Sequence, residues 1–277
     1  MANEGGRFEL RQVIDSIGEA GLRLSEMGAS EGAGGNLSIC LLGPVLPHLE
    51  FTQVETVALP LCVPALVEAT LVVTGSGTRS RDIARNPGAC LAILEVQPGG
   101  EQALMRYSPS RTFARVTSEF NSHLGVHHDQ VQRLGTRYHA VVHAQPRKLT
   151  YLSHLSEYQN EEYVNRRLFR WQPETVLNLP EGISIVPFKV PSSDDLMRAN
   201  VTSLRERRAA IWAKHGVMTR SSHSIAAAVD LIDYLEVAAE YECLDLSLGQ
   251  RTQGLDESEL ASVCAQYGVE QKFKPSR

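Results

Sequence analysis

The sequence predicts an α/β or α+β layered domain in which a sheet is covered by helices. Short β-branched runs bounded by glycine or proline are typical of strands, and longer segments with apolar residues at helical spacing are typical of helices. The two kinds of segment are mixed without strict alternation. With 43% apolar residues, the 277-residue chain can bury a core, and no linker or charge run divides it. We therefore expect one domain over residues 1–277.

The first half of the chain contains one clear helix and several short strands. Apolar residues recur at roughly helical spacing over residues 8–27, and Gly28 follows as a stop signal. The predicted strands are residues 37–42, residues 71–74 and a hairpin of residues 90–96 and 101–107. Proline punctuates residues 43–68, which predicts an irregular excursion with a short strand or helical turn. A short helix is expected at residues 81–85.

The second half begins with a helix that runs from Thr117 or Ser118, as N-cap, to about Leu134. Glu119 then lies in the first turn, where the helix dipole favours a carboxylate. A strand follows at residues 140–144, and Pro146 begins the next helix because this position needs no amide donor. The remaining predicted elements are helices at 161–171, 194–208, 225–248 and 257–267, and strands at 183–190 and 209–219.

Composition excludes several classes of function. The formal net charge of -5, with acidic and basic residues interleaved, offers no extended surface for nucleic acid. No run approaches the ~20 apolar residues that a membrane span needs. The 5 cysteines are widely spaced and form no Cys-x-x-Cys pair, which favours a reducing cytoplasm and argues against a cysteine-built zinc site.

Acidic and histidine residues in three separate segments suggest a metal site. The first segment carries Glu119 and His123, the second His143 and Gln145, and the third His215. An acidic residue and scattered histidines that converge on one divalent cation are what stabilising a carbanion beside a carbonyl requires. His143 and Gln145 leave the end of their strand on the same side and can bind one ion together. Gln145 offers a carbonyl oxygen, a harder and weaker donor toward zinc than an imidazole nitrogen.

Taken one at a time, the histidines favour a simpler interpretation. The chain has 9 histidines, so some suggestive pairs arise by chance. His123, His143 and His215 are each better interpreted, singly, as hydrogen-bonded core or surface residues. His127 and His139 are interpreted as solvated or supporting side chains.

The order of these segments resembles the class II aldolase/adducin family, and within it the branch that cleaves rhamnulose 1-phosphate. No single motif is specific, but the combination is, and it spans nearly the whole chain. The stretches that carry the resemblance are Gly-Gly-Asn-Leu-Ser at 34–38, Leu-Val-Val-Thr-Gly-Ser-Gly at 71–77, Thr-Ser-Glu-Phe-Asn-Ser-His at 117–123, Val-Val-His-Ala at 141–144, Ile-Val-Pro at 185–187, Val-Pro at 190–191 and His-Gly-Val at 215–217.

The resemblance implies a three-layer αβα fold with a central, mostly antiparallel sheet flanked by helices. It also implies a homotetramer with active sites at subunit interfaces. One divalent metal ion per subunit is expected on His143 and His215, with Gln145 in the place of a further family histidine. The expected ion is Zn²⁺, with Mn²⁺, Co²⁺ or Mg²⁺ as alternatives because of the glutamine.

The resemblance further implies which residues act on the substrate. Glu119 is expected to be the catalytic acid/base, and Glu174 a second acid that acts in a neighbouring subunit. A solvated loop carboxylate is the alternative for Glu174. A phosphate group is expected in a cradle of glycine-rich turns and a helix N-terminus, which expose amides to an anion. The cradle residues are Asn36, Ser76, Gly77, Thr117 and Ser118, for which ordinary turn and capping roles are the alternative.

The implied reaction is reversible cleavage of a ketose 1-phosphate to dihydroxyacetone phosphate and a small aldehyde such as lactaldehyde. Three alternatives stay open. One is a sugar-phosphate epimerase or an aldolase for another substrate on the same scaffold. Another is a non-catalytic, adducin-like binding module that has lost a metal ligand at Gln145. The third is an enzyme with a remodelled metal site, in which water or Glu119 fills the weakened position. An enzyme is favoured because a scaffold has no need of Glu119, His143, His215 and the phosphate-like turns together.

Overall fold

A nine-stranded sheet forms the centre of the computed structural model, which describes residues 7–46 and 48–273. Within those residues the strands are β1 Phe8–Glu9, β2 Asn36–Leu41, β3 Val45–Leu46, β4 Gln53–Ala58, β5 Thr70–Thr74, β6 Leu91–Val96, β7 Gln102–Tyr107, β8 Tyr138–Ala144, β9 Ser184–Val186, β10 Ala209–Trp212 and β11 Gly216–Ser221. The order across the large sheet is β4-β7-β6-β5-β2-β8-β11-β10-β9. Every neighbouring pair in it is antiparallel except β9 and β10. Strands β1 and β3 form a separate parallel pair.

Helices cover both faces of this sheet. They are α1 Leu10–Glu26, α2 Pro87–Cys90, α3 Phe120–Leu134, α4 Arg147–Leu152, α5 Glu161–Phe169, α6 Pro173–Asn178, α7 Asp194–Ser203, α8 Ile225–Ser247 and α9 Glu257–Tyr267. Short 3₁₀ turns lie at Pro64–Leu66, Ser80–Asp82 and Ser156–Gln159.

Successive side chains of each strand point to opposite faces of the sheet, so the core consists of two layers. On β2, Leu37, Ile39 and Leu41 pack with apolar residues of α1 and α8. Cys40, on the opposite face, packs with residues of α3, and Ser38 hydrogen-bonds to that helix. The sheet therefore lies between two helical layers, and the prediction of a mostly antiparallel, three-layer αβα fold is confirmed.

Some predicted elements are wrong in detail. The single strand predicted at 209–219 is an antiparallel hairpin of β10 and β11. Its turn contains Lys214 at φ 64, a conformation that glycine or asparagine would ordinarily signal. The helix predicted at 81–85 is a 3₁₀ turn at Ser80–Asp82, and the strand predicted at 183–190 is shortened to Ser184–Val186, directly before Pro187. Residues 43–68 contain β4, a six-residue strand at the edge of the sheet.

Across residues 7–46 and 48–273, no helix is both long and apolar enough to cross a bilayer.

A buried charge network joins α8 to α5 and to the segment that follows α5. The carboxylate of Glu242 is fully buried and accepts hydrogen bonds from Arg167 Nε at 2.6 Å and from Trp171 Nε1 at 2.8 Å. Arg170 Nη2 donates to it at 3.3 Å, and the Tyr158 hydroxyl donates as well. Asp245 is buried as well and lies 2.9 Å from Arg170 Nη2 and 3.6 Å from Arg167 Nη2, so two carboxylates share two guanidinium groups inside this helical layer.

Glu242→Ala should lower the free energy of unfolding by about 1–3 kcal/mol, because the Tyr158 hydroxyl and the Trp171 N–H lose their acceptor, while Asp245 stays beside both guanidinium groups. Urea denaturation measures this. The control is Glu240→Ala, on the exposed side of the same helix, which should change stability by no more than about 0.5 kcal/mol. Equal losses for the two variants would contradict the role given to the network.

Candidate metal centre and active site

Glu119, His143 and His215 converge at one end of β8. One ligand atom from each lies within 4.8 Å of the other two. His143 is the penultimate residue of β8, and β11 pairs with β8 so that Met218 lies opposite His143. This pairing brings the turn before β11, with His215, to the same end of the sheet. Glu119 stands directly before α3 and reaches the site from the helical layer.

The ring of His143 is fixed with one nitrogen directed toward Glu119. Its Nδ1 donates a hydrogen bond to the Val217 carbonyl at 3.0 Å, so the neutral ring carries no proton on Nε2. Trp212 stacks on the ring, with centroids 4.2 Å apart and planes at 17°. Burial lowers the pKa of His143, although the Glu119 carboxylate acts in the opposite direction. The ring is therefore held as a neutral imidazole, the form that binds metals.

His215 completes the group from the β10–β11 turn. Its Nε2 lies 3.8 Å from Glu119 Oε1, and His143 Nε2 lies 3.6 Å from Glu119 Oε2. Both distances are too long for hydrogen bonds. Burial lowers the pKa of His215. One carboxylate and two neutral imidazoles, gathered but not hydrogen-bonded to one another, form a donor set that fits a divalent cation such as Zn²⁺.

Gln145 borders this group on the side of His215. Its backbone N–H donates to the Ala29 carbonyl at 2.7 Å, and its side-chain oxygen lies against Gly34, where a Cβ would overlap with it. Gln145 and His215 also line a common cleft of about 370 Å³, together with Glu31, Arg147, Thr150 and Lys214. The role of Gln145 as a metal ligand stays a prediction.

The Glu119 carboxylate is directed into the site and away from the amides of its own helix. Because α3 begins at Phe120, Glu119 is the N-cap residue, and the predicted start at Thr117 or Ser118 is wrong. Its side chain makes no capping hydrogen bond. Instead, Glu119 Oε2 accepts a hydrogen bond from Asn36 Nδ2 at 2.9 Å.

Four residues of the predicted phosphate cradle, all except Asn36, lie on two adjacent turns beside Glu119, whereas the Asn36 side-chain amide is directed to the Glu119 carboxylate. The Ser76 amide donates to the Arg115 carbonyl at 2.9 Å, and the Thr117 amide donates to Thr74 at 2.9 Å, so the two segments run side by side. Gly77 is exposed and has φ +77, a conformation that favours glycine. Within the described part of the chain, the amides of Gly77 and Ser118 donate no hydrogen bond. Both are therefore available to an anion.

Glu174 lies apart from this group in the single chain. It occupies the first turn of α6, where its side chain is exposed and its carbonyl accepts a hydrogen bond from Asn178. A role for Glu174 in a neighbouring subunit stays a prediction.

Sequence reasoning missed a row of buried polar side chains behind Glu119. His123, His127 and Ser38 are fully buried, and His139 is 1% exposed, so His127 and His139 are supporting side chains and the alternative that they are solvated is wrong. A signal was present: positions 119, 123 and 127 follow one another at helical spacing, which places them on one face of α3. The strand partners of this row become visible only when the register of β2 and β8 is known.

Comparisons with known proteins agree with this geometry. The sequence profile described as "Class II Aldolase and Adducin N-terminal domain" matches residues 15–243. A rhamnulose-1-phosphate aldolase of Yersinia pestis (strain Pestoides F) is 29% identical over 245 residues, which cover 87% of this chain and 88% of the relative.

Solved structures show the same relationship. The crystal structure of a sugar-phosphate aldolase from Thermotoga maritima superimposes with a TM-score of 0.73 at 29% identity, and covers 88% of this chain and 99% of its own. An L-fuculose 1-phosphate aldolase, with a TM-score of 0.59 at 16% identity over 93% of this chain and 97% of its own, shares the fold.

These matches confirm the resemblance inferred from the sequence, including the similarity to rhamnulose-1-phosphate aldolases. Together with the aldolase names of the relatives, they also confirm the prediction of an enzyme of the aldolase type, a lyase. Because the family profile matches most of its length, this chain belongs to the class II aldolase/adducin family.

Proposed function

We propose that this protein is a metal-dependent aldolase that reversibly cleaves a ketose 1-phosphate to dihydroxyacetone phosphate and a small aldehyde. The observation that carries the proposal is the convergence of the Glu119 carboxylate with the imidazoles of His143 and His215. The adjacent turns with available amides add a site for the phosphate group. A carbanion reaction on a phosphorylated ketose requires a carboxylate, a pair of imidazoles and a site for an anion.

Some groups of the site bind the cation and the phosphate, and others transfer protons. His143 and His215, with Gln145 as a third donor, would hold the cation, with Zn²⁺ the expected ion, and Glu119 would approach it when no substrate is bound. When bound, the cation supplies Lewis-acid polarisation of the carbonyl and hydroxyl oxygens of the substrate. The amides of Gly77 and Ser118 bind the phosphate and so fix the reacting carbons relative to Glu119.

Glu119 acts as the acid/base. In the direction of synthesis its carboxylate removes a proton from the carbon beside the carbonyl of dihydroxyacetone phosphate, and in the direction of cleavage it returns that proton. The hydrogen bond from Asn36 to Oε2 holds the carboxylate in place between these steps. The aldehyde oxygen needs a proton as well, and we assign this role to Glu174 of a neighbouring subunit within a homotetramer.

The names of the relatives favour rhamnulose 1-phosphate as the substrate, with lactaldehyde as the aldehyde product. The cleft lined by Gln145 and His215 adjoins the metal group and would bind the half of the substrate that becomes the aldehyde. An aldolase for another ketose phosphate, or an epimerase, would use the same metal group, and a panel of ketose phosphates separates these activities.

Glu119→Gln should reduce cleavage of rhamnulose 1-phosphate by at least about 10²-fold, because the amide cannot accept the proton. Release of dihydroxyacetone phosphate in a coupled assay measures the rate, and bound metal should stay nearly unchanged. Glu240→Gln, at an exposed position of α8, is the control and should keep wild-type activity. Wild-type activity in Glu119→Gln would remove Glu119 from the role of acid/base.

Metal analysis tests the donor set directly. Protein dialysed against Zn²⁺, Mn²⁺ or Co²⁺ should retain about one ion per chain, and His143→Ala or His215→Ala should lose it. Gln145→His should bind Zn²⁺ about tenfold more tightly or better, because an imidazole nitrogen replaces a weaker oxygen donor. His223→Ala, at an exposed histidine outside the site, should bind as the wild type does.

A wild-type protein that retains no divalent ion and cleaves no ketose phosphate when these metals are supplied would contradict the proposed function. It would favour the adducin-like binding module.

A further inference from the structure

A continuous row of hydrogen-bonded side chains runs behind Glu119, between the sheet and α3. Asn36 and Ser38 alternate on β2 and face the helix. His123 and His127 lie one turn apart on the inner face of α3, and His139 projects from β8. These five side chains are buried, and three of them are completely inaccessible to solvent.

The contacts form a single unbranched chain. Asn36 Nδ2 lies 2.9 Å from Glu119 Oε2, and Asn36 Oδ1 is hydrogen-bonded to His123 Nε2. Ser38 Oγ bridges two histidines, with 2.6 Å to His123 Nδ1 and 2.7 Å to His127 Nε2. The last link joins His127 Nδ1 to His139 Nδ1 over 2.7 Å.

The ionised carboxylate sets the direction of every link. Glu119 accepts only, so Asn36 must direct its NH₂ group to it and its oxygen to His123. His123 then carries its proton on Nε2, and its Nδ1 accepts from the Ser38 hydroxyl. Ser38 in turn accepts from His127 Nε2–H, and His127 Nδ1 accepts from His139 Nδ1–H.

The opposite direction is excluded while Glu119 is ionised. It would place Asn36 Oδ1 against Glu119 Oε2, two acceptors at 2.9 Å with no proton between them. Burial lowers the pKa of His123 and His127 well below the usual histidine value, and that of His139 to about 3. Each ring is therefore neutral and carries one N–H, so the assignment of donors has one solution.

We propose that His123, Ser38, His127 and His139 are positioning residues, which hold the Asn36 amide in the one orientation that donates to the Glu119 carboxylate. The effect of this amide orientation on catalysis rests on the proposed function. The direction of the chain follows from the hydrogen-bond geometry and the ionised carboxylate. A free amide could rotate about its terminal bond, whereas this amide is held at both ends, by the carboxylate and by His123 Nε2–H.

The first experiment reads the tautomers in the metal-loaded, ¹⁵N-histidine-labelled protein at pH 7 by long-range ¹H–¹⁵N NMR. His→Gln variants assign the signals. We expect His123 and His127 to be protonated on Nε2 and His139 on Nδ1, all three neutral. A proton on Nδ1 of His123, a proton on Nε2 of His139, or a doubly protonated ring among the three would overturn the proposal.

The second experiment breaks the chain at the hydroxyl between the two histidines. Ser38→Ala should lower kcat for cleavage about 10- to 100-fold and change KM by less than about twofold, because the supporting hydrogen bonds act on the orientation of the base and leave the phosphate site intact. In the same variant the NMR signals of His123 should indicate a mixture of its two neutral tautomers.

The matched control is Ser122→Ala. Ser122 is also fully buried and precedes His123, but its hydroxyl is bonded to Asn200 and lies outside the chain. This variant should keep kcat within about twofold. Equal losses in the two variants, or an unchanged kcat in a folded Ser38→Ala protein, would overturn the proposal.

The two proposals fail in distinguishable ways. A wild-type protein without aldolase activity contradicts the proposed function, while the tautomer pattern still decides the hydrogen-bond chain. A wrong tautomer pattern in an active aldolase contradicts only the positioning role. If Ser38→Ala does not fold, the wild-type spectrum alone decides the question.

Discussion

The antiparallel pairing of β8 with β2 on one side and with β11 on the other is the constraint on which the site depends. It places Asn36 opposite His143 across one strand pair and Met218 opposite His143 across the other. The turn that carries His215 is thereby fixed at the same end of the sheet. A shift of one residue in either register would turn these side chains to the opposite face, into the apolar layer of α1 and α8.

Burial explains why so many polar groups at this end are paired. The layer between the sheet and the start of α3 holds a carboxylate, an amide, a hydroxyl and several imidazoles with almost no access to water. Such groups are tolerated only when they find partners, and each neutral histidine supplies one donor and one acceptor. The arrangement that pairs them leaves only His139 Nε2 and His215 Nδ1, among the fully buried nitrogens of these imidazoles, without a partner, and it also directs the Glu119 carboxylate, so stability and orientation of this carboxylate have one structural origin.

The sequence was sufficient for the fold class and for much of the candidate site, but not for its geometry. Glu119, His143 and His215 could be selected because their segments occur in a family order, whereas their approach depends on strand pairing between residues far apart in the chain. The β10–β11 turn was missed because Lys214 adopts a positive φ that its side chain does not signal. The choice between a solvated and a supporting role for His139 stayed open because a strand histidine does not reveal that His127 lies opposite. Gln145 could be identified as a departure from the family, but no pattern shows where its amide oxygen points.

Anomalous diffraction from crystals of the Zn²⁺-loaded protein, recorded on both sides of the zinc absorption edge, tests the central claim most directly. We expect one strong peak per chain among Glu119, His143 and His215, about 2.0–2.1 Å from Nε2 of His143. The hydrogen bond from His143 Nδ1 to Val217 should be retained. A zinc-loaded protein without a peak at this position, or with the ion on Nδ1 of His143, would contradict the assignment of this group as the metal centre of an aldolase.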